Sequence, residues 1–318
     1  TTSNWYMFDN MRGLLASSGP GSGGPASQVL YSNLTNAEGT SAFIHPTSTG
    51  FTMDTGTSGA TYIYIAIRRG PMKTPTSATS VFSPGISSAN PSVYTTGFPV
   101  DLAMNPLRAG SPDAIITADR LRGSTTTQMQ YLSTSQTTAE SSSGGSFGIG
   151  LQSNTTVSSN GLWGAAANAM WAFGRAPSFM DVVCYNGSGS TSAVNHNLGV
   201  QPELIIYKAR SNAAAWIVHT PSLISQAKFL FLNSTDAAAA NSTQGYDNSG
   251  TPTATTITPG AYQLNTSGWT YVAYLFASLA GVSKVGTYSG TGATQTISCG
   301  FRSEEHTSEL QSLAYLVC

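Results

Sequence analysis

Residues 57–67, TSGATYIYIAI, recur as residues 266–276, TSGWTYVAYLF, with Thr, Ser, Gly, Thr and Tyr in one register at an offset of 209. A second pair, YNGSG from Tyr185 and YSGTG from Tyr288, is offset by 103, about half of that spacing. An internal period constrains the fold more than any local pattern, because each repeat must be a packing unit in its own right. Units of this length are too long for solenoid repeats and have the size of a self-sufficient sandwich domain. The expected fold is therefore all-β: tandem antiparallel β-sandwich, jelly-roll-like modules of about 100 residues, strung as beads. On this reading residues 1–70 hold the C-terminal part of a first module and 71–178 a second, diverged one. Residues 179–281 hold a complete third, and 282–301 the start of a truncated fourth. The second copy is placed by DRLRG from Asp119, which resembles DNMRG from Asp9 at an offset of 110, and by MWAFGRAPSF from Met170, which stands where YVAYLF stands later.

Within the third copy, apolar and β-branched runs alternate with turn residues at the spacing of short strands. Strands are expected over residues 179–185, 203–208, 216–219, 228–232 and 269–276. Asn186-Gly187 supplies residues that accept the positive φ of a tight turn. Only residues 237–240, four alanines, favour a helical turn.

Charged residues make up 8% of the chain, against about 25% in an ordinary domain, so its surface must be hydroxyl-rich rather than ionic. Thirteen basic and fourteen acidic residues leave a net charge of −1, and the densest basic cluster is the pair Arg68 and Arg69. Nucleic acid is not an expected partner, since no patch would neutralise phosphates. No uninterrupted apolar run approaches the length of a membrane span, so membrane insertion is not expected either. Three scattered cysteines, Cys184, Cys299 and Cys318, suggest reduced thiols and assembly in a reducing cytoplasm rather than a disulfide framework.

RSEEHTSELQS from Arg302 departs from this composition and, with LAYLVC behind it, resembles the translation of a sequencing-library adapter. Residues 302–318 are therefore expected to be non-native read-through that makes few contacts with the modules. The competing account is a genuine charged C-terminal helix. Without Arg302, Glu304, Glu305 and Glu309 the chain holds 12 basic and 11 acidic residues.

The most distinctive local signal is NHNLGVQP from Asn195, followed by ELIIYK. His196 in this run reads either as a ligand or general base, or as a turn residue beside Gly199 in an unusual conformation and Pro202 fixing entry to the next strand. Cys299 stands at the register of His196 in the fourth copy, which favours the turn. His45 and His219 have no second ligand at metal spacing, so no metal site is expected. Asp9, Asp119, Asp181 and Glu203 offer carboxylates for a glycosidase pair. Asp9 and Asp119, however, each precede an arginine by three residues, Arg12 and Arg122, which reads more simply as a turn-orienting ion pair. Neither a GxSxG elbow nor a phosphate-binding loop is present.

Trp5, Tyr6, Phe8, Trp216, Trp269 and Tyr271 could form sugar-stacking platforms, but most lie in strand-like runs that suit a core. Trp269 is the exception, because its counterpart in the first copy is Ala60. No catalytic, cofactor-binding or metal residue is expected, and Trp269 is the candidate surface-binding residue.

YIYIAIRRGP, FMDVVCYNGSG, HNLGVQPELIIYK and TYVAYLFASLAGVSKVGTYSGTG together resemble a repeat family of large bacteriophage tail and virion proteins. The resemblance covers nearly all of residues 1–301, although the second copy lacks a clear HNLGxxP. It implies a structural virion component without catalytic residues, assembled in the host cytoplasm and contributing to host-surface attachment. Its implied partners are other virion subunits, further copies of itself, with a trimer one open assembly, and a host-surface glycan or receptor. Two readings stay open beside it: a fragment of a glycan-degrading tail enzyme, and a bacterial or prophage surface adhesin.

Overall fold

A computed structural model describes residues 4–10, 14–16, 27–47, 50–54, 56–67, 73–87, 92–106, 115–123, 128–144, 148–151, 153–160, 168–221, 228–240 and 250–301. The protein is all-β. Among the described residues the one helical element is a 3-10 turn at Ala78–Ser80. The expected strands of the third copy are present as Met180–Asn186, Leu204–Ala209, Ile217–His219, Lys228–Phe231 and Thr270–Phe276. The alanine run differs: Ala239–Ala240 pairs with Lys228 and Phe229 as a strand, because an exposed backbone edge is satisfied there by ladder bonds that a lone helical turn cannot supply.

Two six-stranded antiparallel sheets dominate. The first runs Phe82–Ser87, Asn168–Phe173, Leu102–Asn105, Ile116–Asp119, Gln128–Ser133, Ser141–Gly144 across its width. The second runs Met180–Asn186, Thr270–Phe276, Leu204–Ala209, Ile217–His219, Lys228–Phe231, Ala239–Ala240. Numbered along the chain, both sheets have the strand order first, sixth, second, third, fourth, fifth. The registers agree as well. Phe173 lies between Phe82 and Leu102, and Phe276 lies between Met180 and Leu204. Each sixth strand leaves through the same bridged turn, Ala176 to Met180 and Leu279 to Ser283. A small sheet accompanies each large one, built from segments inserted after the first and fifth strands: Ser92–Thr95 and Gly148–Gly150 flank Thr156–Asn160, and Val194–Asn195 pairs with Thr256–Ile257.

Side chains alternate between the faces of a strand, so each large sheet presents two apolar surfaces. In Thr270–Phe276, Val272 and Tyr274 face one way, while Ala273 and Leu275 face the other. The outer faces pack under the small sheets, with Met129, Met170 and Ile116 meeting Tyr94 and Val157 in one, and Ile205, Ile217 and Leu275 meeting Val194 and Ile257 in the other. The inner faces meet each other. Leu102, Met104 and Leu132 share one core with Val182, Ile206, Trp216, Val272 and Tyr274. The beads-on-a-string expectation is thereby corrected. A sheet that is apolar on both faces must be covered twice, and here each large sheet covers the other.

Charged groups cross this junction. Asp119 and Arg122 form the expected ion pair, and Arg122 also reaches Tyr274 Oη (3.0 Å) and Glu140 Oε2 (3.2 Å). Glu140 in turn accepts two bonds from Arg210 of the second sheet (3.0 and 2.9 Å). The Lys208 ammonium, lowered to about 8 by burial, donates to the backbone carbonyls of Thr137 and Ala214.

The first copy departs from expectation. Residues 60–67 align with the expected strand 269–276, yet they join no strand ladder among the described residues, and Ile63, Ile65 and Ile67 are more than four-fifths exposed. In both large sheets the sixth strand is held between the first and second strands, and among the described residues no such pair flanks 61–67. The N-terminal part instead forms the three-stranded sheet Tyr6–Met7, Ser27–Tyr31, Gly39–Ser41 and the hairpin Ile44–Pro46 with Phe51–Met53. Arg12, Arg68, Arg69, Cys318 and the adapter-like residues 302–318 lie outside the described residues.

Candidate functional site

Trp269 sits at one end of the second sheet, in the turn that leads into Thr270–Phe276. That turn closes through Trp269 N–H donating to the Thr266 carbonyl (3.1 Å). The indole is half-buried and stacks on Tyr271 (centroids 6.4 Å apart, 26° between planes). Tyr271 stacks in turn on Tyr185 of the neighbouring edge strand (5.1 Å, 11°). The ladder is fixed at its polar tips: Tyr185 Oη donates to the Leu264 carbonyl (2.7 Å), and Tyr271 Oη accepts from Thr266 N–H (3.0 Å). Rigid aromatic surface of this kind presents contact area at little entropic cost.

The loops around it are locked by one side chain. Asn265 is fully buried, and its Nδ2 donates to Ser188 Oγ (3.1 Å), the Ser190 carbonyl (2.6 Å) and Ser192 Oγ (3.1 Å). Its Oδ1 accepts from Ser188 N–H (2.8 Å). Gly187 is required here, because a Cβ at that position would land on the Thr266 carbonyl. Gly187→Ala is therefore expected to push the two loops apart and to destabilise the protein by about 1–3 kcal/mol, the scale of overpacking. Urea denaturation checks this, and an unchanged midpoint would show that the loops tolerate separation.

A cleft of about 320 Å³ adjoins the same edge strand, lined by Cys184, Tyr185, Asn186, Ser192, Asn195 and Arg210, with Thr47 and Thr52 from the N-terminal hairpin. Cys184 is no nucleophile in this cleft, since burial pushes its thiol up to about 12. Arg210 is committed to Glu140.

The remaining candidates from the sequence are embedded in structure. His196 is buried, and its Nδ1 accepts from Leu198 N–H (3.2 Å) while Gly199 adopts φ +76°, as the turn reading expects. Burial lowers the His196 ring below its ordinary range despite the nearby Asp181 carboxylate. Asp181 accepts from the backbone N–H groups of Val182 (3.0 Å) and Asn197 (2.7 Å), so it ties the HNLG turn to the strand. Glu203 Oε2 accepts from Ser278 N–H (2.6 Å). His219 packs between Tyr207 and Phe229. His45 is buried, with Nδ1 on the Leu15 carbonyl (2.9 Å) and Nε2 on Asp54 Oδ2 (3.0 Å), a clip the sequence did not disclose. Trp216 belongs to the core, whereas Trp5 is 61% exposed and Tyr6 stacks on Phe43 near the surface, contrary to a core role. Among the described residues no three His, Cys, Asp or Glu side chains converge as metal ligands.

Fold and site together define an all-β protein of two facing large sheets with a rigid aromatic platform at one end. The chain belongs to the family described as a domain of unknown function, DUF7483, whose model matches residues 77–304 and so spans both large sheets. Neither a curated protein nor a solved structure matches the chain.

Proposed function

We propose that the chain is a structural virion component, a bacteriophage tail or tail-fibre protein, which binds host-surface glycan at the Trp269 platform and does not cleave it. The observation that carries the recognition role is the half-buried indole held on Tyr271 and Tyr185 beside Ser/Asn loops that Asn265 immobilises. The stacked indole offers a flat apolar face beside the polar loop 187–192 that Asn265 holds in place, the pairing of aromatic anchor and polar loop that recognition surfaces use. The placement in a virion is supported by the resemblance of the repeat motifs to phage tail proteins.

The carboxylates of the two large sheets and their turns support binding over hydrolysis, because Asp101, Asp119, Glu140, Asp181 and Glu203 are engaged in holding the fold. Asp119 and Glu140 pair with arginines, Asp181 and Glu203 accept backbone N–H groups, and Asp101 accepts Arg175 N–H (2.8 Å). A glycosidase needs two carboxyls free to flank one bond.

The test applies the whole chain to a glycan array and to intact bacterial cells, beside Trp269→Ala. The wild type is expected to retain a subset of glycans, and the variant to bind them roughly 10- to 30-fold more weakly, the scale of about 2 kcal/mol at an aromatic hot spot. Release of sugar by the wild type would overturn the non-enzymatic reading. Equal binding by both proteins would overturn the platform.

A further inference from the structure

The cleft beside the aromatic platform has two fixed walls. Pro46, Thr47 and Thr52 of the N-terminal hairpin form one, residues 192–195 form the other, and Cys184, Tyr185 and Asn186 of the edge strand run between them. Each wall is held from behind by a fully buried side chain. His45, next to Pro46, bonds to the Leu15 carbonyl (2.9 Å) and to Asp54 Oδ2 (3.0 Å). Asn265 fixes Ser188, Ser190 and Ser192. Walls immobilised in advance spare a ligand the ordering cost of binding.

The polar groups of the lining are open to a ligand. The side chains of Thr52, Asn186 and Asn195 are exposed and make no hydrogen bond among the described residues. An amide both donates and accepts, as a sugar hydroxyl does. Pro46, Ala193, Val194 and Tyr185 add apolar surface around them. A few convergent polar groups among apolar ones, in about 320 Å³, match the small end of the range of ligand pockets. Charge narrows the class of ligand. Among the described residues Arg210 is the one charged side chain lining the cleft, and Glu140 already accepts two of its N–H bonds (3.0 and 2.9 Å). An acidic or an amino group would therefore meet no unanswered opposite charge there.

Cleft and platform share parts. Tyr185 lines the cleft and ends the stack that begins at Trp269. Ser192 lines it and is bonded by Asn265. Gly187, next to Asn186, donates its N–H to the Trp269 carbonyl (2.8 Å).

We propose that the cleft is a second sugar subsite, which rests on the glycan-binding reading of Trp269 and names its ligand as an uncharged oligosaccharide. One sugar unit stacks on the indole, and another sits in the cleft with its hydroxyls bonded to Thr52, Asn186 and Asn195.

The whole chain is applied to an array of neutral, amino-bearing and acidic oligosaccharides, beside Thr52→Ala, Asn195→Ala and Trp269→Ala. Both cleft positions are exposed, so thermal unfolding of their variants is expected to match the parent. The wild type is expected to retain neutral glycans, and each cleft variant to bind those same glycans roughly 3- to 10-fold more weakly, the scale of one lost hydrogen bond. Unchanged binding by either cleft variant, with Trp269→Ala weakened, would overturn the cleft subsite and leave the platform standing. Weakened cleft variants with Trp269→Ala unchanged would overturn the platform and the two-unit ligand. Retention of acidic or amino-bearing glycans alone would overturn the ligand class, and retention of none would overturn both the subsite and the reading beneath it. A variant that unfolds early is replaced by the like-sized Thr52→Val or Asn195→Leu, which gives the same decision.

Discussion

Arg122→Met is expected to destabilise the protein by roughly 3–5 kcal/mol, because it strands the buried Asp119 carboxylate, whose charge the guanidinium offsets, while Glu140 keeps Arg210. Arg122 and Asp119 are wholly buried, and Arg122 bonds at once to Asp119, Glu140, Tyr274 and the Thr117 carbonyl. Asp119 would keep the Tyr274 hydroxyl (2.7 Å) but no cation. The double variant Arg122→Met, Asp119→Asn is expected to recover part of the loss, since the unpaired charge goes with it. Equilibrium denaturation decides the matter. A loss for Arg122→Met of the size seen at exposed pairs, below about 1 kcal/mol, would mean that water reaches the junction.

The same cluster sets an acid limit. Burial alone would raise the Glu140 carboxyl, but the guanidiniums of Arg210 and Arg122 overcome it and leave it below the ordinary glutamate range. The unfolded chain therefore takes up its proton first as pH falls. Stability contributed by Glu140 is present above the ordinary glutamate range and is lost as pH drops through the lowered folded-state value. Glu140→Gln is expected to lower stability at neutral pH and to flatten that acid-side slope.

The second large effect is expected at Trp216, where Trp216→Ala costs about 3–5 kcal/mol through the cavity it leaves. This residue is fully buried at the junction of the large sheets, with its ring nearly parallel to Tyr274 (6.4 Å, 16°). Its Nε1–H donates to the Ser133 carbonyl of the other sheet (2.6 Å). Trp216→Phe keeps most of the apolar volume and loses that bond, so it is expected to cost less, about 1–3 kcal/mol. Equal losses in the two variants would show that the hydrogen bond, rather than the packing, dominates.

The strands of the second large sheet were legible because apolar and β-branched runs bounded by Gly, Asn and Pro have few other ways to satisfy their backbone. Motif likeness likewise placed MWAFGRAPSF at the position of YVAYLF, and Phe173 and Phe276 do hold the same place in their sheets. The turn at Gly199 also followed from local chemistry. Residues 61–67 show the limit. Their pattern is as strand-like as that of Thr270–Phe276, but a strand exists only where neighbours accept its ladder bonds, and a sequence pattern does not say whether they are there.

What the sequence by itself determined was local and periodic: all-β character, strand positions, and motifs that recur at an offset of 103. What only the tertiary structure decided was how units meet. Glu140 and Arg210 are 70 residues apart, and Arg122 and Tyr274 are 152 apart. Nothing in their immediate surroundings joins them. One signal was present, because Lys208 and Arg210 continue the inward-facing row of Leu204 and Ile206 in a chain with few charges. A charge at an inward position demands a partner. Which partner it finds depends on the sheet that comes to cover it, and that is settled by packing across the whole molecule.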